Sequence, residues 1–181
     1  MHTVNIGEVL ITADEIDAKL KEMGDAITED YRGKDLLLIG ILKGAFVVMA
    51  DLARHIDLPV EFDFMAVSSY GSATKSSGVV RILKDLDQEI EGRHVLIVED
   101  IVDTGLTLQY LLKNLQVRKP ASLGLAALLI KDGIERPPLE IKYEGFHIPN
   151  KFVVGYGLDL DGKYRNLPYV AVVSDATVPT P

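Results

Sequence analysis

Three carboxylates and two hydroxyls fall within nine residues of one another: Glu99, Asp100, Asp103, Thr104 and Thr107, with Gly105 and Leu106 between the hydroxyls. Adjacent carboxylates repel unless a cation or a set of hydroxyl groups uses them, so Glu99 and Asp100 suit a metal ion or a polyhydroxylated ligand. A small, hydroxylated loop opening a helix offers backbone N–H groups to a phosphate. Gly105 lets the backbone approach such a ligand closely, and Thr104 and Thr107 add donors. The spacing therefore describes a site for a phosphorylated, polyhydroxylated molecule. Read alone, Asp103 is better taken as an ordinary helix N-cap, and residues 104–107 could be only a helix start.

An element must hold these groups in place. Residues 95–98, Val-Leu-Ile-Val, form a short apolar run bounded by charge, the pattern of a strand buried on both faces and ending in Glu99 and Asp100. Leu108, Leu111, Leu112 and Leu115 follow at helical spacing, and that helix ends before Lys119-Pro120. Upstream, Thr12 and Glu15 form a capping box ahead of Ile16, Leu20, Met23 and Ile27, which predicts a helix ending near Arg32-Gly33. Residues 36–42 and 123–130 are further buried strands, the first followed by a helix to about His55. Pro59 opens a strand that runs to about Ser68, and residues 79–83 return as another. Between them, residues 68–78 are small and polar with no packing face, which predicts a mobile loop. Short strands are expected at 152–154 and 169–173 around a polar turn at 159–166, and a disordered tail at 176–181.

Strands alternating with helices predict an α/β fold with a mainly parallel twisted sheet flanked by helices. Nothing splits the 181 residues, so a single domain is expected over 1–181, with a small hood from about 1–12 and 137–175. In such sheets ligands bind at the carboxyl ends of the strands. Lys43-Gly44, Glu99-Asp100, Lys131 and Asp159 with Arg165 all fall at strand exits and converge on one edge. Individually each has a plain structural explanation: a solvated lysine, a surface Tyr70, a core Phe152, a turn-capping Arg165. Their convergence outweighs any single member.

The composition limits the function further. There are no cysteines, which excludes disulfides and thiolate metal sites. The four histidines show no ligand spacing. A net charge of −8 disfavours loose binding to nucleic-acid backbones, so no nucleic-acid partner is expected. The amino terminus lacks the features of a signal peptide and no apolar run spans a membrane, which leads to the expectation of a cytoplasmic protein with no membrane partner.

Residues 95–107 resemble the phosphoribosyl-pyrophosphate signature of the type I phosphoribosyltransferases. Leu42-Lys43-Gly44, Ser69-Tyr70, Leu129-Ile130-Lys131, the run 151–159 and Lys163-Tyr164-Arg165 extend the resemblance, in family order, to the hypoxanthine-guanine branch. The resemblance implies Mg2+-dependent transfer of the 5-phosphoribosyl group from phosphoribosyl pyrophosphate to N9 of hypoxanthine or guanine. The products would be IMP or GMP and pyrophosphate, a purine-salvage reaction. It implies that Glu99 and Asp100 face the ribose hydroxyls and their magnesium. Asp103 would be the general acid/base at purine N7, and residues Asp103, Thr104, Gly105, Leu106 and Thr107 would hold the 5′-phosphate. Lys43, Gly44 and Arg165 would line the pyrophosphate site, with a cis peptide between Leu42 and Lys43. Lys131 would bond purine O6, Phe152 would stack on the base, and the Val153 backbone would read its edge. Asp159 would border the purine and hold a second magnesium, and Ser69 and Tyr70 would ride a mobile loop. A homodimer or homotetramer is implied. Position 106 varies in the family and is Leu here. Two other readings stand beside this one. A regulator with the same fold would bind nucleotides or RNA. A signalling receiver domain shares the Leu-Ile-Val-Glu-Asp motif, but too little chain follows it.

Overall fold

The computed structural model describes residues 6–70 and 79–174. The chain runs β1 (Ile6–Ile11), α1 (Ala13–Asp30), β2 (Leu36–Leu42), α2 (Ala45–Arg54), β3 (Val60–Tyr70), β4 (Val79–Lys84), β5 (His94–Val102), α3 (Leu106–Gln116), β6 (Ser122–Lys131), β7 (Tyr143–Ile148), β8 (Val153–Val154) and β9 (Val170–Val173). The central sheet has the order β4-β3-β2-β5-β6-β7, parallel except for the β3–β4 pair.

Local chemistry explains the main elements. Thr12 is the N-cap of α1: its hydroxyl accepts the Glu15 N–H at 3.2 Å, and its own N–H donates to the Glu15 carboxylate at 2.8 Å. Ile16, Leu20, Met23 and Ile27 then form the buried face. The apolar run of β2 is buried on both faces of the sheet. Leu36 and Leu38 join the core under α1 and α2, and Leu37, Ile39 and Ile41 join the core under α3. The chain leaves β2 toward β3 on one side and later returns to place β5 on the other side of β2. The sheet's switch point therefore lies between β2 and β5, where α/β folds open a crevice for ligands.

A second sheet, in the order β1-β9-β8, is antiparallel and joins the amino-terminal segment to the carboxyl-terminal one. The structure departs from the expected hood at residues 137–148. There β7 pairs in parallel with β6 and extends the main sheet. Its burial does not alternate, because it is an edge strand buried mainly at Tyr143 and Ile148, so no period of two marks it. β5 also differs: it does not end at Glu99 and Asp100 but continues through Ile101 and Val102, which pair with Leu129 and Ile130 of β6. Ser69 and Tyr70 are strand residues of β3, paired with Val80 and Val79, and not loop residues. The expected loop at 71–78 and the tail at 176–181 lie outside the described residues. Among the described residues no helix is long and apolar enough to cross a membrane.

Candidate active site

The end of β5 brings two acids together. Asp100 is buried, and its Oδ1 accepts the N–H of Ile101 at 2.7 Å. Its own N–H donates to Glu99 Oε1 at 3.1 Å. Burial, and then the adjacent Asp100 charge, push the Glu99 carboxyl well above the usual glutamate range. The pair resists carrying two charges, and a divalent ion or ribose hydroxyls would relieve that conflict. The donor set thus fits magnesium held by Glu99 and Asp100 together with ligand oxygens. Among the described residues no cluster of three metal-binding side chains exists.

Gly44, at the β2 exit, closes on this pair. A Cβ at Gly44 would lie 1.8 Å from Asp100 Oδ2, so glycine there lets the Asp100 carboxylate sit against the β2 exit. The preceding Leu42–Lys43 peptide bond is cis, and Lys43 itself is exposed.

Two helices begin beside these strand ends without side-chain caps. Gly105 precedes α3 with φ +75°, a conformation that favours glycine, and its carbonyl accepts the Gln109 N–H at 2.9 Å. No acidic residue occupies the first turn of α3, and the same holds for α2, which starts at Gly44. First-turn N–H groups have no partner within their own helix, so both ends are suited to anions.

Lys131, at the end of β6, reaches across to this loop. Its Nζ lies 3.3 Å from Asp103 Oδ2; the lysine side chain is 11% exposed and the aspartate 52%. A nearly buried ammonium thus has a carboxylate partner that is open to a ligand. Arg136 donates to the Lys131 carbonyl and holds the turn after β6. Phe152 is exposed at 40% immediately before β8, while Val153 is buried.

Asp159 and Arg165 sit on the turn between β8 and β9. Arg165 Nη2 pairs with Asp159 Oδ1 at 2.9 Å, and Asp159 Oδ2 accepts the Gly162 N–H at 2.7 Å. Both Asp159 oxygens are engaged, so its fit to a second metal is poorer than that of Glu99 and Asp100. Arg165 Nη1 also donates to the Gly157 carbonyl at 2.6 Å. Gly157 in turn presses on Gly44: a Cβ at Gly157 would lie 2.1 Å from the Gly44 carbonyl oxygen. The candidate residues Arg165, Gly44 and Asp100 are therefore linked through Gly157. Sequence reading assigned no role to Gly157; its signal was the Gly155-Tyr156-Gly157 spacing.

Residues 12–161 match the model of the phosphoribosyl transferase domain. The chain belongs to the phosphoribosyltransferase family. Its relatives include the hypoxanthine-guanine phosphoribosyltransferase of Mycobacterium avium, 56% identical over 93% of this chain and 86% of that one. The enzyme of the same name from Bacillus subtilis is 49% identical over 95% of this chain and 96% of its own length. A solved hypoxanthine phosphoribosyltransferase from Staphylococcus aureus superposes with a TM-score of 0.91 at 47% identity, covering 93% of this chain and 92% of that one. The phosphoribosyltransferase fold and the strand-end constellation thus coincide in one chain.

Proposed function

We propose that this phosphoribosyltransferase makes IMP or GMP, with release of pyrophosphate, by joining N9 of hypoxanthine or guanine to C1′ of phosphoribosyl pyrophosphate. The Lys131–Asp103 pair at 3.3 Å carries the reading. A 6-oxopurine presents O6 and N7 as neighbouring acceptors on one edge. Lys131 donates to O6 and Asp103 exchanges a proton at N7, so one ion pair matches one edge of the base. Adenine has an amino group at position 6, which cannot accept the lysine's bond.

The remaining roles follow from position. The bare amino end of α3, with residues 103–107, takes the 5′-phosphate. Glu99 and Asp100 hold the ribose hydroxyls. Lys43, Gly44 and Arg165 receive the pyrophosphate, with the uncapped end of α2 adding N–H groups. Phe152 covers one face of the base, and Val153 and Asp159 border its edge. Magnesium bound at Glu99 and Asp100 would neutralise charge on the pyrophosphate as it leaves. Asp103 near N7 accounts for a rate factor on the order of 100 to 10,000. Ser69 and Tyr70 stand at the end of β3.

The reaction belongs to purine salvage, and a cytoplasmic location is part of the same proposal. The single domain carries its hood on the second sheet. The exposed Phe46 and Phe62, beside the partly exposed Phe64, support assembly as a homodimer or homotetramer. The transfer reading is tested by mixing the protein with phosphoribosyl pyrophosphate, magnesium and each of hypoxanthine, guanine, xanthine and adenine. Nucleotide is expected with hypoxanthine or guanine and not with adenine. No product with either 6-oxopurine overturns the reading.

A further inference from the structure

Tyr156 occupies an unusual place in the turn that carries Asp159 and Arg165. It is 8% exposed and has φ +50°, between Gly155 and Gly157, both at φ +97°. The two glycines carry no Cβ, so Tyr156 is the one side chain in three successive residues of positive φ. A non-glycine residue holds such a conformation when its surroundings over-determine it. Here its ring joins the main core and its hydroxyl donates to the Asp51 carboxylate on α2.

The backbone around it is equally fixed. The Tyr156 N–H donates to the Leu167 carbonyl at 2.8 Å, and the Gly157 N–H donates to the Arg165 carbonyl at 2.9 Å. The Arg165 guanidinium returns a bond to the Gly157 carbonyl at 2.6 Å, so Gly157 and Arg165 are joined in both directions. Gly157 then rests against the Gly44 carbonyl, at the start of α2. One helix therefore grips this turn at two points: at its N-cap, Gly44, and on its body through Asp51.

We infer that Tyr156 and Asp51 are a positioning pair that seats Gly157 and Arg165 against the end of β2 and so sets the geometry of the pyrophosphate-binding end of the site. The inference rests on the transfer reading. Neither residue is assigned a contact with the reactants in that reading. Asp51 side-chain exposure is 41%, and it also forms an ion pair with Arg54 at 3.5 Å. An aspartate so exposed is well solvated without the tyrosine, so the bond's consequence is local orientation more than folding.

The test compares a ligand with a pyrophosphate group and one without. Calorimetry with magnesium present measures phosphoribosyl pyrophosphate and IMP binding to the wild type, Tyr156→Phe, Asp51→Asn and the double variant. Tyr156→Phe loses a hydrogen bond to a charged partner and is expected to raise the Kd for phosphoribosyl pyrophosphate about tenfold; Asp51→Asn keeps a neutral acceptor and is expected to raise it about threefold. The double variant should be no weaker than Tyr156→Phe alone, and the Kd for IMP should stay within about twofold, as for an untouched contact. Melting temperatures are read alongside. Should Tyr156→Phe not fold, Asp51→Asn, on the helix surface, carries the test. Unchanged binding of both ligands in the variants overturns the positioning role, as does an equal weakening of both. A wild-type protein that binds neither ligand overturns the transfer reading and the pair's role with it. A wild type that binds both, with indifferent variants, overturns the pair alone.

Discussion

Asp63 and Asp100 are the buried carboxylates among the described residues, at 3% and 7% exposure, and the protein uses them in opposite ways. Asp63, on β3, accepts the N–H groups of Phe64, Asp87 and Gln88 at 2.7, 2.9 and 3.1 Å, with Lys84 at 3.8 Å. It ties the loop after β4 to the sheet, and its charge is satisfied. Asp100, on β5, sits beside a second acid and accepts the N–H of its own neighbour. The helix starts repeat the contrast. α1 is sealed by Thr12 and Glu15, whereas α2 and α3, at the switch point, begin without side-chain caps. Polar groups that hold the fold are closed by the protein, whereas the starts of α2 and α3 beside the switch point carry no side-chain cap.

The largest separation is expected between two substitutions of one type. Asp63→Asn should cost roughly 3 kcal/mol of folding stability, because a charged acceptor of three N–H groups is lost. Turnover of the protein that remains folded should hold. Asp100→Asn should lower turnover about 100-fold through lost electrostatic stabilisation, with no loss of stability. Chemical denaturation and steady-state rates on both variants check this, and a stability loss at Asp100 equal to that at Asp63 would break the contrast.

Smaller effects sharpen it. Gly105→Ala should cost roughly 1–2 kcal/mol for a left-handed residue and raise the KM for phosphoribosyl pyrophosphate. Thr12→Ala should cost about 1 kcal/mol at the sealed helix and leave the KM unchanged. The smallest effect concerns pH. Folded Glu99 keeps its proton to higher pH than the unfolded chain does, because its carboxyl is pushed up by burial and by Asp100. Stability from this group is full below the ordinary glutamate range and is lost as pH rises through its raised value. Glu99→Gln should therefore flatten the fall in melting temperature from acidic toward neutral pH in the ligand-free protein.

Much of this was readable before folding because its signals are local. The Thr12–Glu15 box, the apolar run of β2 and the Gly105 turn each lie within a few residues. β5 outruns its sequence signature: Glu99 and Asp100 look like a terminus, while pairing with β6 carries the strand on to Val102. β7 lacked periodicity because it lies at a sheet edge. The Asp159–Arg165 pair was read as two separate roles, one toward a metal and one toward pyrophosphate, although the side chains meet. Tyr156 and Asp51 stand 105 residues apart, and no local pattern joins them.

The claim that Lys131 and Asp103 read one edge of a 6-oxopurine is tested most directly by one rate comparison. Transfer to hypoxanthine is measured at saturating phosphoribosyl pyrophosphate for the wild type and for Asp103→Asn, with hypoxanthine varied. The account predicts IMP from the wild type and a kcat lower by roughly 100- to 10,000-fold in the variant, with little change in KM. A variant that turns over as fast as the wild type would contradict it.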